Sequence, residues 1–342
     1  VAATPRVKSI DRRLIIGPAW IGDMVMAQSL FISLKQRHSG ALIDVVAPPW
    51  SLPLLQRMPE VDRALPLAVG HGQFGWSERY RLGSSLRQQH YQQAITLPRA
   101  WKAALIPWLA QTPLRTGYRG EMRYGLLNDL RPLNRRLLTQ TVQRYVALGY
   151  PTNAPLPPPT PFPKLRVDRE QQQQLRQRLR LASDSPAIAL LTGAEYGPAK
   201  QWPAHHFATL AQQLYDRGYQ LWLLGSAKDR PNAETITALS QRPLQNLCGK
   251  TSLTEAIDLL ALCHCAVSND SGLMHIAAAV GIQVVAIYGS SSPDYTPPLT
   301  PKRTMMTLKL PCSPCFKRHC PLGHTDCLQR LTPHQLVEAL PP

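Results

Sequence analysis

Several short stretches of the chain combine glycines, hydroxyls and charges in ways that suit phosphate handling and proton transfer. Ser268-Asn-Asp-Ser-Gly-Leu-Met-His275 follows an apolar run and opens a helical one, so its backbone N–H groups and the positive end of the helix dipole can seat a pyrophosphate. Asp270 or Ser271 can cap that helix, Gly272 permits close backbone approach, and His275 lies about one turn in, within reach of a phosphate. An ordinary capped helix with a packed histidine fits the same residues. Thr192-Gly-Ala-Glu-Tyr-Gly-Pro-Ala-Lys-Gln-Trp-Pro203 supplies Thr192, the flexible Gly193, the acid Glu195 and the cation Lys200. Lys200 could neutralise a departing diphosphate or be a solvated loop lysine. Gly17-Pro-Ala-Trp-Ile-Gly-Asp-Met24 sets Asp23 at a strand-to-helix junction, where a carboxylate could accept a hydroxyl proton or cap the helix. Tyr288-Gly-Ser-Ser-Ser-Pro293 is uninformative alone, but beside the 268–275 stretch its hydroxyls, Ser290 among them, could complete a nucleotide site on one sheet rim.

The elements that must position these residues alternate. Residues 12–17 read as a short apolar strand and 24–38 as the amphipathic helix after it. Further strands are expected at 42–47, 64–67 and 94–97, with helices at 52–58, 79–90 and 101–110. That alternation implies a parallel sheet covered on both faces. The proline-rich stretch 150–163 cannot be a helix or a central strand and favours an extended conformation; it reads as a linker, or else as a long surface loop. Beyond it, strands at 187–191, 220–224, 244–247, 265–268 and 283–287 alternate with helices at 169–180, 205–217, 231–240, 253–262 and 272–280. The expected fold is α/β, with two Rossmann-like doubly wound domains, 1–160 and 161–330, facing a central cleft lined by strand carboxyl ends. A terminal helix within 331–342 is expected to pack back toward the first domain. No Gly-x-Gly-x-x-Gly and no phosphate loop ending in Gly-Lys-Ser/Thr stands at a strand end, which argues against a dehydrogenase or an NTPase.

The chain has 342 residues, 44% of them hydrophobic and 17% charged, enough apolar material for two globular cores. Its formal charge of +17 draws anionic partners. No recognition helix or aromatic single-strand motif points to nucleic acid. Residues 1–13 are basic and lack the apolar stretch of a signal peptide. The apolar run 103–110 is broken by Pro107 and is too short to span a bilayer. A cytoplasmic protein is expected, with any membrane contact peripheral. Cys248, Cys263 and Cys265 sit in apolar patterns and read as buried thiols. Cys312, Cys315, Cys320 and Cys327, interleaved with His319 and His324, suit a structural zinc site, free thiols or redox-labile disulfides.

Gly17-Pro-Ala-Trp-Ile-Gly-Asp-Met24, Arg57-Met-Pro-Glu-Val61, Gly117-Tyr-Arg-Gly-Glu-Met-Arg-Tyr-Gly-Leu-Leu-Asn-Asp129, Gly197-Pro-Ala-Lys-Gln-Trp-Pro203 and Asn269-Asp-Ser-Gly-Leu-Met-His275 together resemble glycosyltransferase family 9. The resemblance runs over nearly the whole chain. It implies a GT-B fold and inverting transfer of heptose from ADP-heptose to the first heptose of the lipopolysaccharide inner core, carried on Kdo2-lipid A. By that likeness Asp23 is the general base, Lys200 with Asp270, Ser271, Gly272 and His275 holds the diphosphate, and Thr192 and Gly193 lie beside it. Trp20, Arg119, Arg123 and Asn128 fall in matching segments and are expected to meet the acceptor. The arginines of 115–136 are expected to form an acceptor- and membrane-facing surface at the cytoplasmic face of the inner membrane, with Trp101 and Trp108 at the interface, or else a solvated basic face beside core tryptophans. No metal is strictly required for such a displacement, and stimulation by Mg²⁺ stays open. Transfer to another position of the core, or epimerisation of the sugar nucleotide, stays open as well.

Overall fold

The computed structural model describes residues 11–70, 72–182 and 184–340; the basic residues 1–10, part of the segment tested for a signal peptide, lie outside them. The chain resolves into two compact units, one formed by the residues up to Ala19 together with Ala27–Pro161, the other by Trp20–Met26 together with Phe162–Pro342.

In the first unit, β1 (Arg12–Ile16), β2 (Leu42–Ala47), β3 (Arg63–Pro66), β4 (Gln93–Thr96), β5 (Leu114–Tyr118) and β6 (Asp129–Arg131) form one sheet in the order β3-β2-β1-β4-β5-β6. Every pairing is parallel. Leu14, Ile15 and Ile16 of β1 are all buried, as a strand covered on both faces requires. Leu14, Ile16, Val46, Ala94 and Ile106 meet in one cluster. β5 and β6 and the helix Thr141–Ala147 are elements that apolar periodicity did not announce. β6 is an edge strand of three residues with no buried position, so it needs only one ladder and little apolar surface.

The second unit repeats the plan. β7 (Ala187–Leu191), β8 (Gln220–Leu223), β9 (Gln245–Asn246), β10 (Cys265–Asn269), β11 (Gln283–Ile287) and β12 (Arg303–Met306) run in the order β12-β11-β10-β7-β8-β9, again wholly parallel. The chain leaves β7 toward β8 on one side and returns to its other side at β10, so the β7/β10 boundary is the topological switch point where ligands of such sheets bind.

Two expectations change. The helix Ile21–Arg37 starts ahead of residue 24, which puts Asp23 inside the first turn and removes its reading as an N-cap; Gly22, which resembles a loop residue in sequence, lies inside the helix, where its bare Cα leaves room for the His275 ring. The terminal helix Pro333–Glu338 packs within the second unit: Leu336 and Val337 join Phe207, Leu210 and Ala211 of the helix Ala204–Tyr215 in one apolar cluster. The preceding turn is tied there by the indole Nε1 of Trp202, which donates to the Leu331 carbonyl at 2.9 Å.

Candidate active site

At the carboxyl edge of the second sheet, the loops after β7, β8, β10 and β11 share one rim. Asn269 closes β10 and binds both ends of the loop after β7: its Nδ2 donates to the Thr192 carbonyl at 2.9 Å, and its Oδ1 accepts from the Trp202 N–H at 3.1 Å. Trp202 is fully buried against Phe207 and His206. The 192–203 loop is therefore pinned at both ends, and Lys200 emerges next to the anchor. Its Nζ meets Asp270 Oδ2 at 2.5 Å and lies 5.1 Å from the centre of the Tyr196 ring. Arg318 approaches the same ring at 5.4 Å, and its carbonyl accepts from the Ala199 N–H at 3.0 Å.

The helix Gly272–Ala279 begins at this edge, with Ser271 as its N-cap and no side-chain cap bond, so its first N–H groups keep their capacity for an anion. Its first turn packs on the first turn of Ile21–Arg37. A Cβ on Gly272 would lie 3.1 Å from Ile21 Cβ, and one on Gly22 would lie 2.7 Å from the His275 ring. Both glycines are required by this approach rather than by a turn.

Asp23 is carried in on that turn. Burial pushes its carboxyl up to about 6, aided by the negative Asp270 and opposed by Lys200. A carboxylate with a value near neutrality is suited to accept a proton. His275 is buried and its imidazole is pushed down to about 4 by desolvation, against the pull of Asp270, so it is neutral at physiological pH. It packs between two helix starts, and any bond it makes to a phosphate is that of a neutral ring N–H rather than of a cation.

Among the buried polar atoms without a protein partner, Thr192 Oγ1, Ser290 Oγ, Ser291 Oγ and His275 Nδ1 belong to this edge. Buried hydroxyls are normally satisfied, and unused donors beside a cation and a helix N-terminus match what a ligand rich in oxygen would fill. Gly193 faces Asp229, whose carboxylate would lie 2.9 Å from a Cβ there. Glu195 pairs in solvent with Lys228 at 2.9 Å and is not drawn into the Lys200–Asp270 cluster.

The residues expected to meet the acceptor divide. Trp20 and Arg119 are exposed. Arg123 is buried, donating from NH1 to the Pro98 carbonyl at 2.7 Å and from NH2 to that of Tyr118. Its guanidinium is pushed down to about 10 by desolvation. Asn128 accepts from the Arg115 N–H at 2.7 Å and donates to the Pro113 carbonyl at 2.6 Å. Both side chains brace the β5–β6 region; the buried Arg123 presents no surface to an acceptor, which corrects its assignment, whereas Asn128 stays exposed beside its two backbone partners. Arg318, by contrast, escapes a reading of the sequence: it stands far along the chain from Lys200, in a loop without periodicity.

The cysteine-rich segment, open in sequence to zinc, free thiols or labile disulfides, holds all four of its cysteines as free thiols. Among the described residues no group of three or more His, Cys, Asp and Glu side chains is gathered to hold a metal ion, so Cys312, Cys315, Cys320 and Cys327 present no ready tetrahedral set. Backbone amides of 322–325 hold the half-buried Cys320 thiol below its ordinary value, while burial raises that of Cys327.

Two doubly wound parallel sheets, one in each unit, are the fold of GT-B glycosyltransferases. Residues 79–326 match glycosyltransferase family 9 (heptosyltransferase), and the chain belongs to that family. It is 46% identical over 336 residues to lipopolysaccharide heptosyltransferase 2 of Escherichia coli K12, covering 96% of this chain and 97% of that protein. Identity is 48% over 306 residues to lipooligosaccharide heptosyltransferase 2 of Haemophilus influenzae, covering 86% and 88%. Among solved structures, E. coli ADP-heptose LPS heptosyltransferase II superposes with a TM-score of 0.84 at 43% identity, over 96% of each chain.

Proposed function

We propose that this chain transfers L-glycero-D-manno-heptose from ADP-heptose to the first heptose of the lipopolysaccharide inner core, with inversion at the anomeric carbon. Support comes from the heptosyltransferase 2 relatives that match nearly end to end and, in the structure, from one arrangement above others: the carboxyl of Asp23, raised to about 6, within electrostatic reach of the Lys200–Asp270 pair.

On this reading the acceptor hydroxyl attacks the anomeric carbon as Asp23 takes its proton, the bond from that carbon to the diphosphate oxygen breaks, and ADP leaves with the electron pair. One displacement inverts the centre. Lys200, the N–H groups at the start of Gly272–Ala279 and the hydroxyls of Thr192 and Ser290 meet the charge that develops on the diphosphate. Asp270 holds Lys200 in place. These groups suffice without a resident metal, and Mg²⁺ acts at most as a stimulant. The acceptor, Kdo2-lipid A bearing one heptose, is membrane-embedded. On this reading the chain meets its acceptor peripherally, at the cytoplasmic face of the inner membrane; among the described residues no helix is long and apolar enough to cross a membrane.

The test is mass spectrometry and anomeric NMR of a core acceptor incubated with ADP-heptose and the protein. Gain of one heptose with the anomeric configuration opposite to the donor's, and release of ADP, is the expected result. Retained configuration would sink the single displacement, and conversion of ADP-heptose without acceptor would replace transfer by epimerisation.

A further inference from the structure

Five aromatic side chains drawn from residues 74–108 gather on the first unit and remain in solvent. Phe74, Trp76, Tyr80, Trp101 and Trp108 each keep between 41% and 51% of their surface exposed. The Phe74 ring lies 6.0 Å from that of Trp76 and 5.2 Å from that of Trp101, and Trp76 lies 6.1 Å from Tyr80. Trp76, Tyr80, Arg87 and Trp108 line one cavity, which joins the helix Trp76–Ser85 to the helix Leu105–Leu109.

This face is braced from beneath. The buried Arg79 donates to the Phe74 carbonyl at 2.7 Å and to that of Lys102 at 3.2 Å, and Lys102 Nζ donates to the Gln73 carbonyl at 3.1 Å. Arg87 is fixed by its Nε to the Leu109 carbonyl at 2.8 Å. A surface held rigid while keeping its aromatic rings wet marks an interaction site. Arg87 is exposed beside it, while Arg81 of the helix Trp76–Ser85 lies toward Glu78. Glu78 lies two residues from both Trp76 and Tyr80 and so faces the opposite side of their helix. Glu121 is engaged, accepting from the Trp101 N–H at 3.0 Å.

Tryptophan and tyrosine favour the boundary between headgroups and acyl chains, and exposed arginines favour anionic headgroups. We propose that this aromatic face docks the protein on an anionic lipid bilayer, with the rings at the interface and Arg87 and Lys102 toward lipid phosphates. The proposal rests on the peripheral membrane reading above and names the surface that does the docking.

Co-sedimentation of the full chain tests it, using acceptor-free vesicles of two parts phosphatidylcholine to one part phosphatidylglycerol, beside pure phosphatidylcholine. The wild type should pellet with the anionic vesicles, and Trp76→Ser/Trp108→Ser should bind them roughly tenfold more weakly. Trp76→Tyr/Trp108→Tyr should recover most of the binding, which a merely misfolded surface would not. Turnover of a water-soluble, deacylated acceptor should be unchanged in both variants, so a failure of the transferase reading appears in that assay and a failure of docking in the pellet. A wild type that stays in the supernatant, or a serine variant that binds as the wild type does, overturns the proposal. So does a wild-type dimer in sedimentation velocity that the serine variant abolishes, without vesicle binding, since the face would then belong to a second copy.

Discussion

Along residues 115–131, Arg115, Arg123 and Arg131 point their guanidinium groups at oxygen atoms of their own unit, whereas at the rim of the second sheet Lys200 is held by one carboxylate, and the buried hydroxyls of the same rim have no protein partner. Arg115 reaches the carbonyls of Leu126 and Thr112, and Arg131 reaches Asp129 and the carbonyls of Ala147 and Tyr150. Near Lys200, Thr192 and Ser290 keep donors without acceptors. The difference separates cations used to hold a backbone from cations kept for a ligand. A count of arginines cannot make that distinction, because it reports donors and not the acceptors already spent on them.

The sharpest way to break the contrast is at Asp23. Replacement by Asn removes a base and should lower turnover at least ~100-fold while ADP-heptose binding stays nearly intact; unchanged turnover would refute the base. In the wild type, kcat/KM should fall as pH drops through about 6, where Asp23 takes a proton. The stability effect has the opposite sign. Folded Asp23 holds its proton more tightly than the unfolded chain does, so its stabilising preference is complete below the ordinary carboxylate range and is lost as pH rises through about 6. Asp23→Asn should therefore hold or raise Tm at pH 7, by calorimetry.

Lys200→Ala should follow, with turnover reduced on the order of 100-fold and weaker ADP binding, since one preorganised donor to a developing anion is of that size. Normal values for both would place Lys200 with the structural cations. Arg123→Met should do the reverse: leaving the Pro98 and Tyr118 carbonyls without their donor should destabilise the fold by roughly 2 kcal/mol, read as a lower Tm, with turnover per folded molecule unchanged. Turnover lost at full stability would restore Arg123 to the acceptor.

Much of this plan is legible in the chain because central parallel strands must be apolar on both faces. Leu14-Ile15-Ile16, Ala187–Leu191 and Gln283–Ile287 declare themselves that way, and the glycine- and hydroxyl-rich stretches that follow them mark the rim. β6 and β12 do not, since edge strands need only one partner and carry Arg, Asp and Thr. The same limit applies to the site. Asp23, Lys200 and Asp270 stand at strand-to-helix junctions, where position implies a role. Arg318 and the unsatisfied hydroxyls depend on how distant loops meet, and Arg123 on a burial that its charge conceals.

The smallest effect gives the finest test of the contrast. Thr192 Oγ1 is buried without a protein acceptor or donor, so the folded protein gains nothing from it and bears its desolvation. Thr192→Val keeps the branched shape and deletes only that hydroxyl. The empty protein should then be unchanged or slightly more stable, while ADP binds roughly three- to tenfold more weakly in titration calorimetry, the worth of one hydrogen bond. At Arg123 the signs are inverted, with stability lost and binding kept. If Thr192→Val instead lowers Tm and leaves ADP affinity intact, its hydroxyl is already satisfied within the fold, and the rim of the second sheet is built no differently from the arginine-rich segment.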